Sequence, residues 1–179
     1  MITDIASYLK FFDSVRRRTE RDVAALPPEA AAWRPPASAG GESEWTIGQI
    51  IGHLCGSRLY FASAYRGEGW VWTETKTEMD PDDPRTWLPW LQRSAERFTA
   101  QLAETPAEWL TRRVEMIDTP GATLSGWRIL MMMIEHEVHH RSQVDAYAGS
   151  QGWPVPDIFN RSAEHIITLQ DEQRSRYGR

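Results

Sequence analysis

Ile134-Glu135-His136-Glu137-Val138-His139-His140-Arg141-Ser142-Gln143 is the stretch that decides how this chain is read. Three of the five histidines of the sequence fall there, at 136, 139 and 140. An α-helix advances about 100° per residue, so His136 and His140 stand one above the other on one face. His139 lies about 60° from His136 on the same helix. Immediately upstream runs Ile129-Leu130-Met131-Met132-Met133, so the helix is apolar nearly all round and belongs in a protein interior. Two stacked imidazoles in an interior crowd each other unless they share a proton or a metal, because a buried polar group without a partner is costly.

A metal asks for a third ligand, and His53 is the only histidine in the first half of the chain. It lies on a helix whose start is well marked. Thr46 and Gln49 spell a capping box, with Trp45 and Ile50 flanking it as a hydrophobic staple. The inward face of that helix reads Ile50, His53, Leu54, Ser57, Tyr60, Phe61 and Ala64. Gly48, Gly52 and Gly56 recur every fourth residue, a pattern that marks close approach of another segment or space cleared beside a site. Three neutral nitrogens at 53, 136 and 140 leave a coordination position open, as in catalytic rather than structural metal sites.

The remaining elements follow from periodicity and breakers. Thr3 to Leu26 is a helix with Ile5, Tyr8, Leu9, Phe12, Val15 and Val23 on one stripe, stopped by Pro27-Pro28. Arg34 to Glu44 is a loop, and Gly67 to Asp83 a long connection that need not join antiparallel neighbours. Its closing acids, Asp80-Pro81-Asp82-Asp83, read as a solvated turn and lack the calcium-loop pattern. A third helix is expected from Thr86 to Ala103, with Pro89 tolerated only in its first turn. Val114 to Ile117 is extended and Asp118-Thr119-Pro120-Gly121 a turn, which together predict a small flap over one end of the molecule. The fourth helix, from Thr123 or Ser125 to Gly149, carries the histidines, and Trp153-Pro154-Val155-Pro156 forbids its continuation. The tail, to about Gln173, predicts a weaker fifth helix. The fold class is therefore all-α: a four-helix bundle with a long connection between helices 2 and 3 and an extra C-terminal helix. One domain over 1–179 is expected, with a core over 3–160 and a tail over 161–179.

Composition narrows the partners. The net charge is −5 and the pI about 5.6, with no basic cluster interleaved with aromatics, so nucleic acid is not expected. Arg16-Arg17-Arg18 reads as a solvated helix face. Cys55 is alone, which leaves no disulfide framework and makes a reducing cytoplasm the default. No apolar signal core opens the sequence and no run reaches the ~18 residues of a membrane span.

His136-Glu137-Val138-His139-His140 also spells H-E-x-x-H, the zinc-peptidase helix in which Glu is the base. Glu164 or His165 would then supply the third ligand. That motif belongs beside a sheet that binds peptide backbone, and the chain shows no such strands.

Taken together, Trp45-Thr-Ile-Gly-Gln-Ile-Ile-Gly-His53, the block His136-x-x-His139-His140-Arg141-x-Gln143 and Gly152-Trp-Pro-Val-Pro156 resemble the DinB/YfiT-like metalloenzyme superfamily. The likeness spans roughly Ile5 to Phe159, and Ser142 stands where the family commonly has glycine in H-R-G-Q. The resemblance implies a four-helix bundle holding one divalent metal, usually zinc or nickel, on His53, His136 and His140. It puts His139 around the ligands rather than on the metal. Gln143, about 20° from His136 around the helix, is a candidate to orient a ligand or bound water, and Tyr60, Met132 and Met133 are candidates to line the pocket. The implied chemistry is that of thiol-dependent S-transferases, in which a low-molecular-weight thiol takes the open position and attacks a small-molecule electrophile. A non-catalytic metal- or ligand-binding stress protein is the alternative of another class, and a homodimer is the family expectation.

Overall fold

A computed structural model describes residues 2–37, 40–72 and 79–178. Residues 38–39 of the expected first loop and 73–78 of the expected long connection lie outside the described residues. Helix α1 spans Ile5–Ala24 and starts where the Asp4 carboxylate accepts from the Ser7 amide at 2.7 Å. Its stripe of Ile5, Tyr8, Phe12, Val15 and Val23 is buried, while Arg16 pairs outside with Asp13 and Glu20. Helix α2 spans Ile47–Arg66. Its capping box forms as the spacing predicts: the Gln49 amide donates to Thr46 Oγ1 at 3.2 Å and the Thr46 amide to Gln49 Oε1 at 2.8 Å.

Helix α3 spans Pro84–Ala103 and so begins two residues before the expected Thr86. Asp83 caps it through the Arg85 amide, and Pro84 takes the first position, where a missing N–H goes unnoticed. That start corrects the reading of Pro89, which falls in the second turn. It is tolerated there on an exposed face, where both Pro89 and Arg85, whose carbonyl loses its helical donor, are exposed residues. Strands β1 (Arg113–Glu115) and β2 (Thr123–Ser125) pair antiparallel with Val114 opposite Leu124, forming the predicted flap. Because β2 claims Thr123 to Ser125, helix α4 begins only at Gly126 and runs to Ser150. Helix α5 spans Ala163–Tyr177, and none of its residues is buried. No helix is long and apolar enough to cross a membrane among the described residues.

In the bundle, α2 packs on α3 and α4, and α1 packs on the same two, so α1 and α2 sit diagonally opposed. Arg58 reaches Ser94 and Arg66 reaches Gln101, which makes α2 and α3 parallel neighbours. Tyr8 bonds Leu130 and Arg141 lies beside Asp22, so α1 and α4 are parallel as well. Parallel neighbours need a return run, and the glycine row of α2 supplies its track. Gly56 faces the Trp72 ring, Gly52 the Met79 sulfur and Gly48 the backbone of Pro81. A Cβ at Gly48 would lie 1.9 Å from the Pro81 carbonyl oxygen. The glycines thus clear space for the connection itself.

The core comes in two apolar clusters. One gathers Phe12, Phe61, Tyr65, Phe98, Leu102, Leu130 and Met133, and the other Val23, Ile47, Ile51, Leu54, Trp87, Leu91 and Val144. Every helix of the bundle contributes buried polar residues between them: Thr19 and Asp22 from α1, Ser57 and Arg58 from α2, Ser94 from α3, and Glu137, His140 and Arg141 from α4. A polar layer therefore divides the core at mid-height, and the histidines stand at its edge.

Candidate metal centre

His53 on α2 faces His136 and His140 on α4, and one ring nitrogen from each lies within 4.8 Å of the other two. His53 Nε2 and His136 Nε2 are 2.8 Å apart, and the ring centroids of His136 and His140 are 4.5 Å apart. Antiparallel packing of α2 on α4 makes this possible: Trp45, before α2, lies against His140, while Tyr65 at its other end lies against Gly126. The helical repeat then turns 136 and 140 together toward 53.

Aromatic side chains wall the cluster. Trp72 stacks on His53 with centroids 5.5 Å apart, Trp45 sits 4.8 Å from the same ring, and Phe61 is 5.9 Å from His136. Burial first, and the neighbouring imidazole of His140 second, lower His53 to about 4. The same order of causes lowers His136 to about 3. Burial also lowers His140, although the Gln143 hydrogen bond works against it. All three rings are therefore neutral at physiological pH, with lone pairs free to bind a cation rather than a proton. Three neutral, convergent imidazole nitrogens in a walled recess fit a divalent metal of the zinc, nickel or iron type.

Gln143 shows how the second layer is built. Its Oε1 lies 3.0 Å from His140 Nδ1, and its Nε2 donates to the Glu42 carbonyl and to the Tyr147 hydroxyl. With Nε2 committed as donor, Oε1 must accept, so His140 carries its proton on Nδ1 and presents Nε2 to the cluster. Gln143 stands about 20° from His136 around the helix, yet its hydrogen bond goes to His140. His136 Nδ1 is buried with no partner among the described residues.

Other candidates fall elsewhere. His139 is exposed, edge-on to His140 at 4.9 Å, and forms with Glu42 and His140 a second grouping on the solvent side. Tyr60 is half-buried and meets the aromatic wall of the site at Trp72, 5.8 Å away, and at Phe61, 5.9 Å away. Met133 is fully buried in an apolar cluster, and Met132 packs against the same cluster. Cys55 is buried, its thiol pushed up to about 11 chiefly by burial, and is inert. Glu164 and His165 lie exposed on α5.

Glu137 turns away from the imidazoles. Its carboxylate takes both arms of Arg58, Nε at 3.0 Å and the terminal nitrogen at 2.6 Å, with both side chains fully buried. The base that an H-E-x-x-H peptidase needs is thus committed elsewhere. The sequence reading missed this pair and the indoles of Trp45 and Trp72. The available signal was Arg58 in the middle of a mostly apolar helix, a helical turn beyond the site histidine and far from the basic last turn at Arg66.

Comparison with known proteins agrees with this architecture. No curated protein matches the chain. A DinB-like protein from Bacillus cereus shares the fold with TM-score 0.70 at 22% identity, covering 88% of this chain and 99% of that one. YfiT from Bacillus subtilis, described as a probable metal-dependent hydrolase with an unusual four-helix bundle topology, matches with TM-score 0.61 at 19% identity, covering 84% and 89%. The family model of the DinB family matches residues 1–173, almost the whole bundle and its tail, and on that match the chain belongs to the DinB family.

Proposed function

We propose that His53, His136 and His140 hold one divalent metal, zinc or nickel, and that the protein is an enzyme transferring a small thiol to a small electrophile. The convergence of three neutral ring nitrogens between α2 and α4 carries this reading. The chemistry a divalent metal supplies in such a site is acidity, which ionises a thiol at neutral pH without a protein base. That suits a site whose one buried carboxylate, Glu137, is held by Arg58. Gln143 fixes the tautomer of His140, and Trp45, Trp72 and Phe61 exclude water from the flanks. In the transfer a sulfur–carbon bond forms, the leaving group departs with its bonding pair, and the thiol proton passes to solvent.

The name of YfiT favours a second reading, in which water replaces the thiol as nucleophile. A panel of low-molecular-weight thiols and electrophilic substrates separates the two. Metal-loaded protein is expected to consume thiol and electrophile together, and His53→Ala to abolish it. Turnover of ester or amide substrates without thiol consumption would favour the hydrolase. No turnover of either kind would leave a metal-binding protein without catalysis.

A further inference from the structure

We infer that the buried Arg58–Glu137 pair is the positioning device of the histidine site, setting the register of α4 on α2. The inference rests on the metal reading proposed above. Arg58 is fully buried and every arm of its guanidinium is used. Two arms grip Glu137, and the third donates to the Leu91 carbonyl at 2.6 Å and to Ser94 Oγ at 2.8 Å. The guanidinium also lies over the Phe12 ring at 5.6 Å. One side chain of α2 thereby meets all three other helices of the bundle.

Stability does not account for such a pair. Two charges taken out of water lose hydration that their attraction only partly returns, and well-packed apolar replacements are often neutral or stabilising. Hydrophobic attraction within the apolar clusters on either side is non-directional and leaves the register open. A bidentate fork does not, because its two parallel bonds fix both distance and direction. Glu137 follows His136 directly and precedes His140 by three residues, while Arg58 follows His53 by five. Sliding or rotating α4 against α2 breaks both bonds and leaves two buried charges unpaired. The same movement separates His53 Nε2 from His136 Nε2, now 2.8 Å apart. Arg58 and Glu137 touch neither substrate nor metal in this scheme and act only through the histidines they align.

The test is the double variant Arg58→Met/Glu137→Leu, in which Ser94 keeps its own bond to the Leu91 carbonyl. It is expected to fold with a melting temperature close to that of the unaltered protein. Its affinity for cobalt(II) should nevertheless fall about tenfold or more, with a changed d–d absorption spectrum. Unaltered affinity and spectrum in the folded double variant would overturn the inference. Should that variant not fold, Arg58→Lys keeps the charge and loses the fork. Reduced affinity and an altered spectrum are then expected, and their absence overturns the inference equally. If the unaltered protein takes up no cobalt, the metal reading itself fails. The pair is then judged in the metal-free protein by nitrogen NMR of the histidine rings. Loss of the His53–His136 contact in the variant supports the positioning role, and its persistence refutes it.

Discussion

Burial holds His53 at about 4 and His136 at about 3, against 6.5 for a free imidazole, so folding is linked to protons. A pKa lowered in the folded state means that the unfolded chain binds protons first. The metal-free protein should therefore keep its full stability above pH 6.5 and lose it progressively as pH falls toward 4. Melting temperatures of the metal-free protein between pH 7.5 and 5 read this directly, and a flat profile would contradict neutral buried rings. Gln143 acts one bond further out. Gln143→Leu removes the acceptor that fixes His140, and metal affinity is expected to drop about tenfold with little change in melting temperature. Competition against a chromophoric chelator measures it; an unchanged affinity would mean that His140 needs no orienting partner. Asp145 offers a control of opposite sign away from the rings. Burial and Asp22 raise it to about 6, so its charged form is disfavoured in the folded protein. Asp145→Asn should then raise the unfolding free energy at pH 7.5 by on the order of 1 kcal/mol at most after solvent screening, a gain that shrinks toward pH 4 and is read by denaturant unfolding.

Among the elements, α2 shows how one sequence pattern can point correctly to space and leave its occupant unnamed. The glycine row at 48, 52 and 56 announces close approach, but the occupant, the run through Met79 and Pro81, is far away in sequence and has no period of its own. The row also separates two outcomes for one substitution. Among the described residues Gly52→Ala meets only the flexible Met79 side chain, its sulfur at 3.6 Å and its methyl at 3.9 Å, and should be neutral or stabilise by up to about 1 kcal/mol through helix propensity. Gly48→Ala drives a methyl into the Pro81 carbonyl and should destabilise by about 1–3 kcal/mol. Denaturant unfolding of both variants checks the contrast, and equal effects would mean that the connection does not lie along α2. The capping box of α2 was legible because it is local, three residues long and chemically specific. Of the two starts the sequence offers for α4, Ser125 is its N-cap position, whereas Thr123 is claimed by strand pairing with Glu115.

At the scale of the whole molecule, the bundle and its three histidines were readable from periodicity, since 136 and 140 share a face whatever packs against them. The partner on the opposite helix followed because the first half of the chain has a single histidine. Direction was not readable: that α2 runs parallel to α3, and α1 to α4, depends on how the long connections fold back. The polar mid-layer was equally hidden, because Arg58 and Glu137 each look like a misplaced charge until the two helices are brought together. That layer, set between two apolar clusters, brings the three imidazoles together at its edge. The most direct test is the metal content of the purified protein beside His136→Ala. Close to one divalent metal per chain is expected in the unaltered protein and almost none in the variant, whereas metal retained undiminished in His136→Ala would contradict the three-histidine site.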